Sequence, residues 1–324
     1  MRHIHVRGLV FAAAILVLGS SVFASRAFAD ASLNVGKADS NASPILPVNV
    51  GDRLGIFKKH GLDVKISDFT GGSKLVQAMT AGSIDIGVAA GPLMALEMKG
   101  APMLAVCENA PPIPFIGIAV PWDSPVHTVD QLKGKKIGFS SAGSLTDWLA
   151  RELARTRGWG PEGYTPVTIG NAAAGVIAAF RTHALDADIS VTSNIFSWEE
   201  KKEGRLLIPV SDYVGNIGAG TIFATKALMA KDPDALRKFL AGWLETVDYM
   251  RGHKAETVKI ESAVTGYSSG VMAKEYDLTI GMFSKDCKFD AQSLANLKRS
   301  FVDLKLVATP PDMSKLYTEA YLPK

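Results

Sequence analysis

The chain has 324 residues, 47% of them hydrophobic, with 35 Lys plus Arg against 32 Asp plus Glu. Three of the basic residues, Arg2, Arg7 and Arg26, fall in an acid-free N-terminal stretch, so residues 30–324 balance at 32 basic against 32 acidic. That balance gives no electrostatic case for a nucleic acid or an anionic membrane as partner, and two cysteines are too few for a disulfide scaffold.

Residues 1–29 run apolar from Leu9 to Val22 and end on the small-residue site Ala27-Phe28-Ala29, the pattern of a cleavable Sec-type signal peptide. The apolar run is shorter than the ~20 residues a membrane span needs, and no Cys stands near the cleavage site to accept a lipid. A soluble exported protein is expected, with chain enough for two lobes of ordinary domain size. In an oxidising compartment Cys107 and Cys287 could pair, but an apolar strand is also a normal home for a buried free Cys.

A strand is expected over residues 33–38, then a helix over 45–59, with Ser43 as its cap and Pro44 in its first turn. Gly61 stops that helix before a strand at 62–69. The pattern repeats: Thr70-Gly71-Gly72-Ser73-Lys74 leads into a helix with Leu75, Val76 and Met79 on one face, and Gly82 precedes a strand at 84–89. Pro92 opens another helix, and a strand follows at 103–106. Strands alternating with helices at this spacing imply a parallel, doubly wound sheet, whose ligand crevice lies at the carboxyl ends of the strands.

The strand at 115–120 has prolines on both sides and reads as a crossing between lobes. Residues 133–148, KGKKIGFSSAGSLTDW, then give a strand feeding a helix through five small residues, with Ser144 and Asp147 placed as helix-start residues. Such a loop offers backbone N–H groups to a ligand in front of it. A strand at 166–169, the loop Gly170-Asn171, a helix at 172–181, a strand at 187–191 and a loop at 192–194 complete a second alternating unit. After a strand at 205–210, the glycines of residues 215–220 precede a return strand at 221–225. From Asp232-Pro233 onward the pattern is helical, with Leu236, Phe239, Leu240, Trp243, Leu244 and Val247 on one apolar face. Further helices are expected at 273–282 and 291–304, covering the sheet of the first lobe.

Recognisable catalytic chemistry is sparse. Gly266-Tyr267-Ser268-Ser269-Gly270 matches the G-x-S-x-G elbow of serine hydrolases, but neither the strand before it nor a later His is present. His60, His127, His183 and His253 stand singly, without a partner at metal-ligand spacing. Gly71-Gly72-Ser73-Lys74 lacks the spacing of a P-loop. The crevice loops are small, polar and mostly uncharged, which suits recognition by amides and short side chains better than acid–base catalysis. They supply the candidate ligand contacts Ser40, Asn41, Gly72, Ser73, Gly91, Phe115, Ser141, Gly143, Ser144, Asn171, Thr192, Asn194 and Gly218. Phe115, Trp148 and Trp198 are candidates to wall an apolar part of the crevice, and each is a core candidate as well.

The segments LGIFKKHGLDV (54–64), FTGGSKLVQAMTAGSIDIGVA (69–89) and VHTVDQLKGKKIGFSSAGS (126–144), in this order and spacing, resemble the periplasmic substrate-binding proteins of ABC importers. The group is the nitrate, sulfonate and taurine one, which includes thiamine-precursor-like binders. The resemblance implies an α/β, two-lobed periplasmic binding protein fold of type II kind, with mostly parallel sheets joined by two crossing strands. It divides the chain into lobe 1 (30–117), lobe 2 (118–216) and a return to lobe 1 (217–324). It further implies a periplasmic monomer without metal or cofactor that passes a small solute to an ABC permease. Asp85, in SIDIG, fits the family pattern as a structural acid. The solute is left open between a sulfonate-, nitrate- or carboxylate-type anion and a mostly neutral heterocycle. Thiamine-pyrimidine synthases use the same scaffold, but with a His and a Cys-rich motif; this chain has no Cys cluster. A sensor that presents its solute to a membrane receptor is the third alternative.

Overall fold

The computed structural model describes residues 30–160, 162–170 and 172–324. The expected signal peptide, residues 1–29, and the candidate Asn171 lie outside the described residues.

The first unit runs β1 (Ala31–Lys37), α1 (Pro47–Arg53), α2 (Ile56–Lys59), β2 (Leu62–Asp68), α3 (Gly72–Thr80), β3 (Ile86–Ala89), α4 (Met94–Glu97) and β4 (Met103–Ala110). The second runs β5 (Ile116–Pro121), β6 (Lys136–Phe139), α5 (Leu145–Thr156), β7 (Thr165–Thr168), α6 (Ala173–Arg181), β8 (Ala187–Val191), α7 (Thr192–Glu200) and β9 (Gly204–Pro209). The chain then returns through β10 (Gly220–Thr225) to α8 (Lys226–Lys231), α9 (Pro233–Gly252), α10 (Lys254–Thr265), α11 (Ser269–Thr279) and α12 (Ala291–Asp303).

These elements form two five-stranded sheets, β2-β1-β3-β10-β4 and β7-β6-β8-β5-β9. Each sheet is mixed rather than fully parallel. β10 is antiparallel to β3 and β4, and β5 is antiparallel to β8 and β9. The reason is connectivity: β5 and β10 enter their sheets from the other lobe, at the edge where the remaining strands end, and so run the opposite way. The crossings themselves are residues 111–115 and 210–219.

Both lobes use the same device to fix one parallel pair, β1–β3 in the first sheet and β6–β8 in the second. Asp85, just before β3, accepts from the Asn34 N–H of β1 at 2.9 Å, and Asp186, just before β8, accepts from the Lys136 N–H of β6 at 2.9 Å. Asp85 is therefore a structural acid, as expected. The long helix α9 starts on Asp232, whose carboxylate accepts from the Ala235 N–H at 3.0 Å. It buries Leu236, Phe239, Leu240, Trp243 and Val247, with Phe239 stacked on Phe57 of α2 at 5.0 Å.

Three expectations fail on identifiable grounds. The helix expected over 45–59 is a 3-10 turn at Ser43–Ile45 followed by α1 and α2, because Pro47 restarts the helix and Gly55, at φ 70°, breaks it. Residues 192–194 are not a loop: β8 runs straight into α7, whose first turn they form. The C-terminal helices do more than cover the first sheet. α11 packs on α7 of the second lobe, and Arg299 of α12 holds Glu152 of α5 through two bonds of 2.8 Å.

Cys107 of β4 and Cys287 are disulfide-bonded. Beside the bond the Glu108 N–H donates to the Cys287 carbonyl at 3.0 Å, and further along β4 the Ala105 N–H donates to Leu316 at 3.2 Å. The β4 edge of the first sheet is thus covered by the C-terminal segment, which blocks edge-to-edge pairing on that side. Among the described residues no helix is long and apolar enough to cross a membrane.

Candidate functional site

In both sheets the parallel strands end at the same edge, and these edges face each other across the crossings. Residues 38–43 follow β1 on one side, and residues 192–194 follow β8 on the other. Two polar bridges join them. Ser43 and Thr192 both donate through their hydroxyls to the Glu275 carboxylate of α11, Thr192 at 2.7 Å. Asn41 donates to the Tyr267 hydroxyl at 3.4 Å, and Tyr267 donates to the Asn194 side-chain oxygen at 2.5 Å. Asn194 continues to the Ser190 hydroxyl at 3.3 Å.

Glu275 is 1% exposed, and burial pushes its pKa up to about 7. Glu261 of α10 is pushed up to about 8, first by burial and then by the neighbouring Glu275. The junction is a largely buried hydrogen-bond network of hydroxyls, amides and carboxyls contributed from both lobes.

Asn41, Thr192 and Asn194 thus meet at one place, and Ser40 stands exposed on its rim. Phe115 lies in the core beside them, with its carbonyl accepting from the Thr192 N–H at 2.8 Å. Ser73 is exposed at the start of α3, and Gly72 abuts the Leu93 side chain closely enough that a Cβ would stand 2.6 Å from it. Gly91 and Gly218 are placed differently, beneath α12. The Gly91 N–H donates to the Gly218 carbonyl at 2.9 Å, and the Gly218 N–H donates to Ser293 at 3.1 Å. A Cβ on Gly91 would meet Leu297 at 2.8 Å and the Gly218 oxygen at 2.9 Å. Backbone cannot yield there as a side chain can, so Gly91→Ala is expected to cost about 1–3 kcal/mol. Urea denaturation reads this, and an unchanged midpoint would mean that α12 is not seated on these glycines.

The loop at residues 140–144 spends much of its hydrogen-bonding capacity on its own fold. The Ser144 hydroxyl accepts from the Asp147 N–H at 3.3 Å, and Asp147 in turn accepts from the Gly143 N–H at 2.8 Å. The Ser140 N–H donates to Thr146 at 3.0 Å, and the Ser144 N–H to the Ser141 carbonyl at 3.1 Å. Ser144 is therefore the helix cap that the sequence indicates, while Ser141 and Ala142 remain exposed. Ser144→Ala should cost about 1 kcal/mol of stability and loosen the loop. An unchanged thermal midpoint would show that the Asp147 to Gly143 bond alone holds this helix start.

Tyr267 and Glu275 are functional candidates that the sequence reading missed. A signal existed: α11 buries Val271, Met272, Glu275, Tyr276 and Thr279, a helical stripe that places an acid among apolar residues. The G-x-S-x-G match is a helix start. Ser268 accepts from the Val271 N–H at 3.0 Å, capping α11, and donates to Glu200 at 2.8 Å. Among the described residues no group of three or more His, Cys, Asp or Glu is arranged to hold a metal ion.

The model of the family described as NMT1/THI5 like matches residues 43–257. The chain belongs to that family. As an NMT1/THI5 like protein it is 26% identical over 299 residues to the 4-amino-5-hydroxymethyl-2-methylpyrimidine phosphate synthase THI11 of Saccharomyces cerevisiae, covering 86% of this chain and 84% of the synthase. It is 25% identical over 213 residues to a Brucella abortus protein named as a binding protein, covering 65% of each chain. Its fold is that of the periplasmic binding proteins. The periplasmic aliphatic sulphonate binding protein SsuA of Escherichia coli superposes with a TM-score of 0.75 at 21% identity, over 89% of this chain and 92% of SsuA. Relatives by sequence thus carry the names of both a synthase and a binding protein.

Proposed function

We propose that this chain is the exported solute-binding component of an ABC import system, closing on a small solute between its lobes and delivering it to an inner-membrane permease. The observation that carries this reading is the junction at the strand ends, where Asn41 and Ser43 of one lobe and Thr192 and Asn194 of the other share Tyr267 and Glu275 as partners. A solute bound there touches both lobes at once, and hinge bending at the two crossings encloses it. Export is supported by the pattern of residues 1–29. The likeness to a sulphonate-binding protein favours a small organic anion, and the pyrimidine named in the synthase relatives favours a heterocycle.

The sequence match to pyrimidine phosphate synthases also favours a second reading, an enzyme on this scaffold. Native mass spectrometry of gently purified protein separates the two. A receptor carries a stoichiometric small molecule that leaves unchanged on denaturation. Release of a chemically altered compound over time would instead support the enzyme.

A further inference from the structure

Glu275 is a buried acid that packing alone does not require. It lies on the apolar stripe of α11, where Val271, Met272 and Tyr276 fill the same interface. Its two oxygens accept from Ser43 and Thr192, using two of the roughly four lone-pair sites of a carboxylate. Among the described residues no Lys, Arg or His pairs with it. The titratable groups that face it are Glu261 from α10 and Tyr267 from the connection between α10 and α11; the segment before α1 adds the Ser43 hydroxyl and Asp39, whose charge acts on Tyr267, and the start of α7 adds the Thr192 hydroxyl. Two carboxyls buried together without a counter-charge are costly.

A second observation points the same way. The side-chain oxygen of Asn109, at the end of β4, is buried without a partner among the described residues, while its amide donates to the Pro44 carbonyl at 2.6 Å, one residue from Ser43. Three loop amides at the strand ends are already taken, since Asn41 and Ala42 donate to Asp39 at 2.7 and 3.0 Å and Gly143 donates to Asp147, whereas the Ser193 hydroxyl at the start of α7 is buried without a partner among the described residues. Glu275 thus keeps spare acceptor capacity and has no counter-charge, while the buried cation at the end of β1, Lys37, is spent on Asp68 at 3.0 Å and on the Ser40 carbonyl at 3.5 Å.

Resting on the reading of this junction as the solute site, we propose that the solute carries a protonated nitrogen, an ammonium, amidinium or guanidinium group, and that Glu275 binds it. Binding then replaces the carboxyl proton by the N–H donors of the solute, and that proton leaves to solvent.

The test is a thermal-shift screen of the purified protein, wild type and Glu275→Gln, against a metabolite library that holds amines, amidines and guanidines beside sulfonates, carboxylates and nitrate. The compounds that raise Tm are expected to carry a protonated nitrogen. Calorimetry on them should show affinity rising about tenfold between roughly pH 6 and pH 8 in the wild type, as Glu275 ionises, with protons released into the buffer. Glu275→Gln should lose both the rise and the release. Tightest binding by a compound without a protonated nitrogen, or a pH rise retained in Glu275→Gln, would overturn the proposal while leaving the receptor reading intact. Should that variant not fold, the wild type decides alone, and binding without proton release overturns the proposal. A library in which nothing binds overturns both readings.

Discussion

Replacing Cys287 by Ser is expected to lower the stability of the folded protein by roughly 5 kcal/mol, the loop-closure entropy of a cross-link across 180 residues. The size follows from where the bond sits. It ties β4, within the first sheet, to the segment between α11 and α12, so one covalent link closes a loop that contains the whole second lobe. The free chain loses most of its reach when that link is present, whereas the folded chain already holds both ends together through the Glu108 N–H and the Cys287 carbonyl. Urea unfolding of the variant and of the wild type under reductant should give the same lowered free energy. A loss below ~1 kcal/mol in both would show that the unfolded chain is constrained without the bond.

The second large effect is on pH dependence. Burial raises the pKa of Asp188 from 3.8 to about 7, and those of Glu108 and Glu275 also to about 7, with Glu261 at about 8. Each acid keeps its proton in the folded state at pH values where the unfolded chain has lost it. Its contribution is therefore complete below the unfolded value near 4 and is lost as pH rises through the folded value. For Asp188 alone, about three pH units of difference correspond to a loss on the order of 4 kcal/mol between about pH 4 and pH 7.

Glu152 acts in the opposite sense. Burial works against its charge, but hydrogen bonds from Arg155 and Arg299 hold its pKa below the ordinary value, so its contribution is lost on acidification. Stability should fall progressively from mild acid towards neutral pH. Asp188→Asn, which removes one titration where Gly138 leaves room for the side chain, should raise Tm at about pH 8 by several degrees and leave it nearly unchanged at about pH 4.5. An equal shift at both pH values would mean that Asp188 is ionised in the folded protein.

Much of this architecture was legible in the sequence. The alternation of strands and helices, the caps at Ser144 and Asp232, and the glycine stops at Gly61 and Gly82 are local signals, and each stands where expected. What the sequence concealed is non-local. The antiparallel sense of β5 and β10 depends on which edge the chain enters. Thr192, Ser193 and Asn194 carry loop-like composition, yet the same side chains suit a helix start. Gly91 and Gly218 look like ligand-facing turns and instead admit α12, a contact made only because residues 291–303 return across the lobes. Tyr267 and Glu275 lie more than 220 residues beyond Asn41 and Ser43, which they bridge to the second lobe, and no spacing rule connects them. Their one local mark is an acid on an apolar helical face.

The central claim, that a solute is held between the lobes at the Glu275 junction, is tested most directly by hydrogen–deuterium exchange with and without the compound that binds. Slowed exchange is predicted on both sides at once, in residues 38–43 and in residues 192–194, together with the Tyr267 connection. Protection confined to one lobe would contradict the account. So would protection centred on the cavity of about 660 Å³ lined by His60, Arg237, Lys238 and Lys324, at the edge of the first sheet opposite the crevice.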